Sequence, residues 1–72
     1  MKVYLVLSYE AYGDTEVEAV AASQEIAIKS AEKLAKTYSE MQRVVNTSIP
    51  SWRNNDHHLY IMEYDVLEEN DE

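Results

Sequence analysis

Seventy-two residues give room for one domain and one modest core, with little chain left for a second lobe. The chain has no cysteine, which excludes disulfides, thiolate metal sites and cysteine nucleophiles. Fourteen Asp and Glu against six Lys and Arg leave a formal net charge of −8, which repels nucleic-acid phosphates and argues against direct duplex binding.

Domains this small commonly need a disulfide, a metal or a partner subunit. With no cysteine, a homodimer is the support that the composition leaves open. The acidity has a plain reading as solubility, and a second as a match for a basic protein surface. Val3 to Leu7 is too short an apolar run for a secretory core or a membrane span, so the chain is expected in the cytoplasm.

Residues 2–10 are rich in Val, Tyr and Leu and read as a strand. Val3, Leu5, Leu7 and Tyr9 share one face, and Tyr4, Val6 and Ser8 the other, so both faces are partly apolar. Ala11-Tyr12-Gly13-Asp14 holds the only glycine, whose tolerance of positive φ suits a hairpin turn. Thr15 to Ala22 alternates as a second strand, with Glu16, Glu18 and Val20 on one side and Val17, Ala19 and Ala21 on the other. Ser23 is placed to cap a helix, with Glu25 at the positive end of its dipole. From Gln24 to about Arg43, Ala27, Ala31, Leu34, Tyr38 and Met41 recur at helical spacing.

Residues 44–56 lose the period around Pro50 and read as a long loop. His57 to Leu67 alternates as a final strand, with Tyr60, Met62, Tyr64 and Val66 opposite Leu59, Ile61, Glu63 and Asp65. Residues 67–72 form an acidic tail expected to fray. The whole chain, 1–72, is thus expected to be a single α+β domain of β-β-α-β order. It would be a two-layer sandwich: an antiparallel three-stranded sheet with one helix packed on one face. The other face would hold Tyr4, Val6, Val20, Leu59 and Ile61, or their counterparts if the inward face is the reverse. Such an apolar face invites a homodimer.

The strand Lys2-Val3-Tyr4-Leu5-Val6-Leu7, the run Ala22-Ser23-Gln24-Glu25 before Ala27, and the tyrosine-rich last strand followed by acids resemble small phage and bacterial proteins of β-β-α-β order and unknown function. The resemblance covers residues 2–41 and 59–72, and the chain departs from it at 44–56. It implies a phage origin, and so an inhibitor of host defence such as a CRISPR nuclease or nucleotide-signalled immunity, acting in the host cytoplasm.

No catalytic constellation has local support. His57 and His58 are adjacent on a strand and point to opposite faces, so they cannot chelate one metal; two exposed polar residues is the simpler reading. The pairs Glu16/Glu18 and Glu63/Asp65 could raise a pKa for acid–base work, but solvated strand faces account for them. The chain is therefore expected to be no enzyme, with no cofactor and no metal.

Two surfaces are candidates for binding. Trp52 and Arg53 are the residue types that most often dominate binding energy, although Trp52 could equally close over the core. Glu63, Asp65, Glu68, Glu69, Asp71 and Glu72 lie in one stretch that could occupy a basic groove in place of nucleic acid. The leading expectation is a small acidic inhibitor or adaptor that docks Glu63, Asp65, Glu68 and Glu69 on a basic, nucleic-acid-binding protein, anchored by Trp52 and Arg53. A second is an oligomer sequestering a small nucleotide signal with Arg43, Trp52, Arg53, His57 and His58. A third is a structural module with no dedicated ligand.

Overall fold

The computed structural model describes residues 1–10, 13–38, 40–45 and 47–67. Six elements follow one another: β1 (Lys2–Glu10), β2 (Glu16–Ala21), α1 (Gln24–Thr37), β3 (Gln42–Val44), β4 (Ser51–Arg53) and β5 (His57–Asp65). The five strands form one antiparallel sheet in the order β2-β1-β5-β4-β3. The fold is α+β, a single helix lying on a single sheet.

The two nine-residue strands, β1 and β5, are the axis of the molecule. They pair along their whole length, from Lys2 opposite Asp65 to Glu10 opposite His57. Residues directly opposite one another share a face, so the register sorts the side chains. Tyr4, Val6, Leu59 and Ile61 turn toward the helix, where Val6 and Leu59 are fully buried. Val3, Leu5, Leu7, Tyr9, Tyr60, Met62 and Tyr64 turn to the other face, called here the open face. The uncovered face is therefore the counterpart set, joined by Val20. Strand β1 is apolar on both sides, so its alternation could not choose between them.

Helix α1 packs chiefly on β1, β2 and β5. Ser23 is extended, and its Oγ accepts a hydrogen bond from the Ile26 amide at 3.2 Å, as the sequence suggested for the cap. Ala27 and Ala31 are completely buried, and their small side chains let the helix approach the sheet closely. The core is thin. Among the described residues seven buried hydrophobic side chains form it, three of them alanine, while Leu7 is buried on the open face.

Two expectations are corrected. The helix ends at Thr37 and not near Arg43, because Thr37 Oγ1 donates to the Leu34 carbonyl at 2.7 Å and Tyr38 takes an extended backbone. Glu40 then turns the chain with φ at +59°. The expected loop 44–56 is instead mostly a hairpin: β3 and β4 pair over Gln42–Arg53, Arg43–Trp52 and Val44–Ser51, and β4 pairs with β5. The sheet accordingly has five strands and not three, in the order β-β-α-β-β-β.

The turn chemistry explains how the hairpin is held. Thr47 Oγ1 and Ser51 Oγ both donate to the Ile49 carbonyl, at 2.7 and 3.2 Å. Asn54 Oδ1 accepts from the amides of Asp56 and His57, at 2.8 and 2.7 Å, which bends β4 back into β5. Gly13 closes the first turn with its amide on the Glu10 carbonyl at 3.1 Å, without the positive φ anticipated for it. Ala11 and Tyr12 of that turn, and residues 68–72 of the expected tail, lie outside the described residues. Among the described residues no helix is long and apolar enough to cross a membrane.

Candidate functional site

Strand alternation separates the two halves of the expected anchor. Trp52 faces the helix opposite Leu59 and is only 4% exposed, so it closes over the core. The Arg43 guanidinium lies over its ring, 5.0 Å from the centroid. A base could stack on that face only by displacing Arg43. Arg53 points to the open face, beside Gln42 and His58. An open cleft of about 910 Å³ runs around this sheet edge, and Glu40 and Asp56 line it together with Arg43 and Arg53. Opposite charges alternate there.

The histidines do lie on opposite faces. His57 stacks on Tyr38 with ring centroids 4.5 Å apart, and its Nε2 is 4.0 Å from Glu10 Oε2. His58 Nδ1 hydrogen-bonds the Tyr9 hydroxyl at 2.9 Å and packs beside Tyr60 on the open face. Burial, and then the nearby Arg53 charge, push the His58 pKa below its ordinary value. Among the described residues no group of three or more His, Asp or Glu is arranged to hold a metal ion.

Glu63 and Asp65 are held by one cation. Lys2 Nζ lies 2.9 Å from Glu63 and 3.1 Å from Asp65, and hydrogen bonds to those two carboxylates raise the lysine well above its usual pKa. All three side chains are about half exposed or more, Glu63 the least at 47%, so solvent screens the cluster. Glu68 and Glu69 lie outside the described residues.

A denser patch of negative charge sits at the opposite end of the sheet, and its cause is a bulge. Val6 faces Ala19 while Leu7 faces Val17, so Glu18 is an extra residue in β2. The bulge reverses the facing of everything before it. Glu16 moves to the helix side opposite Ser8, and Val17 moves to the open face, where it is 57% exposed. Ser8 Oγ donates to Glu18 Oε2 at 2.6 Å. Burial raises the Tyr38 phenol, and the charges of Glu18, Glu10 and Glu16 raise it further. Geometry groups the three: Glu16 lies opposite Ser8, Glu18 bonds Ser8, and Glu10 reaches His57, which stacks on Tyr38. Among the described residues the ion pairs of Lys and Arg are those of Lys2, at the far end. The grouping was hidden in the sequence, because regular alternation sets Glu16 and Glu18 beside Val20.

The open face completes the picture. Across β2, β1 and β5 it presents Val, Leu, Met and Tyr side chains and, among the described residues, no carboxylate. Its ionisable side chains other than tyrosine are Arg53 and His58.

No family model matches the chain, and no curated protein or solved structure matches it either. Function therefore has to be argued from the site itself.

Proposed function

We propose that this chain is a small non-enzymatic binding protein whose acidic surface docks on a basic, nucleic-acid-binding protein. The observation that carries the reading is the way charge is distributed. Helix α1 holds three lysines against two glutamates, so the net −8 resides elsewhere. Residues 10–18 contribute four acids and no cation. Of these, Glu10, Glu16 and Glu18 gather near Tyr38. Carboxylates held on a rigid strand end meet Lys and Arg at fixed spacing, which favours fast, salt-sensitive association. Glu63 and Asp65 make a second acidic end, partly neutralised by Lys2, and Glu68 and Glu69 follow them in the sequence. In this reading the docked surface substitutes for phosphates, as an inhibitor of a phage type would. Trp52 supports the scaffold beneath it.

Capture on the immobilised chain tests this. Proteins retained from a cell lysate should elute as salt rises, and added duplex DNA should displace them. Reversing charge at Glu16 and Glu18 together (Glu16→Lys, Glu18→Lys) should reduce capture more than the same reversal at Glu63 and Asp65. Capture that resists salt, or that both double variants retain, would remove the proposal.

A further inference from the structure

The open face of the sheet has a different occupant. We infer that it docks a second copy of this chain, sheet against sheet, independently of what the acidic ends bind. The case begins with exposure. Val17, Val20 and Tyr64 are 57%, 63% and 45% exposed, and they flank Leu5, Tyr60 and Met62 on one continuous surface. Monomeric proteins seldom leave such a patch in water. Full burial on the other side is confined to Val6, Trp52, Leu59, Ile61 and three alanines, ringed by partly buried residues such as Leu34 and Tyr38, so covering this second face would add to a modest core.

Charge selects the occupant. A basic protein would find no carboxylate on this face among the described residues. A nucleic acid or an anionic lipid surface would bring its charge against the face itself in a chain of net charge −8, whereas a second copy, though equally charged, keeps its acids away from the contact. A second copy meets apolar and aromatic groups across β2, β1 and β5, with Arg53 and His58 to one side, and the carboxylates of the described residues stay at the rim in water. The size also fits. Two nine-residue strands, a six-residue strand and two of three residues, at about 3.3 Å per residue and about 4.8 Å between strands, cover roughly 500 Å² in plan per copy. Side-chain relief adds to that, and a specific interface needs about 1,000 Å² in total from both partners.

The edges argue for face stacking and against a continued sheet. Strand β2 ends one side with a bulge and two glutamates, and β3 ends the other with only three residues. Both are ways of blunting an edge against pairing. Two sheets stacked on this face would lie about 10 Å apart, with Tyr60 and Met62 near the centre of a two-fold contact.

Light scattering across a dilution series tests the inference. The wild-type chain should show twice its mass of 8.3 kDa, falling toward one copy on dilution. Val20→Glu and Tyr64→Glu change exposed residues, so each should keep its far-ultraviolet circular dichroism and become monomeric. Lys33→Glu, on the outer face of the helix, should remain dimeric. A wild-type chain that is monomeric throughout would overturn the inference, and that reading does not depend on any variant folding. So would a dimer that survives both face substitutions, which would point to edge pairing. Pelleting of a monomeric wild-type chain with phosphatidylcholine vesicles would assign the face to lipid instead.

Discussion

His58 shows how one residue can report on the open face. Its ring is hydrogen-bonded to Tyr9 from β1, edge-on to Tyr60 on its own strand, and opposite Arg53 from β4. Partial burial and the guanidinium charge both disfavour the protonated ring, so the folded pKa lies below the ordinary 6.5. A group with a depressed folded pKa contributes stability that is present above the unfolded value and lost as pH falls through the folded one. Acidification from about pH 7.5 to about pH 5 should therefore destabilise the wild-type chain more than His58→Gln. Urea midpoints of the two chains at both pH values check this; equal losses would mean the ring is not held neutral. All other ionisable groups are the same in both chains and cancel in the comparison.

At the scale of elements, the β3–β4 hairpin decides whether Trp52 is scaffold or ligand contact. A tryptophan that is almost fully buried against Leu59 and the helix makes the hairpin part of the core. Trp52→Ala should cost about 3–5 kcal/mol, a large share of what a small domain has. Thermal unfolding followed by circular dichroism measures it. A loss of partner capture with an unchanged melting temperature would instead make Trp52 a contact residue. Strands β1 and β5 and the start of α1 were legible in the sequence, because long alternation and a serine cap leave strong local marks. The three-residue strands β3 and β4 carry no period, and their hairpin is fixed by pairing with β5 and by hydrogen bonds to Ile49 and Asn54. The helix end was misread because Tyr38 and Met41 pack against the core from a turn while keeping helical spacing. The acidic convergence of Glu10, Glu16 and Glu18 depends on a one-residue bulge, and a bulge at Glu18 has no signature in Glu16-Val17-Glu18-Ala19.

For the whole molecule, the sheet divides two kinds of surface. Its open face is largely apolar and, among the described residues, free of carboxylates, while the negative charge collects at the strand ends. If these surfaces are energetically separate, self-association and partner binding should respond to salt in opposite ways. Partner capture should weaken, because added ions screen attraction across the acidic surface. The dimer should hold or tighten, because the same ions screen repulsion between two chains of charge −8 and leave apolar burial intact. The most direct measurement is sedimentation equilibrium of the wild-type chain at about 50 and about 500 mM NaCl. The account predicts a mass of two chains at both, with dissociation no easier at the higher salt. A dimer that falls apart as salt rises, or a single chain of 8.3 kDa at both, would contradict it.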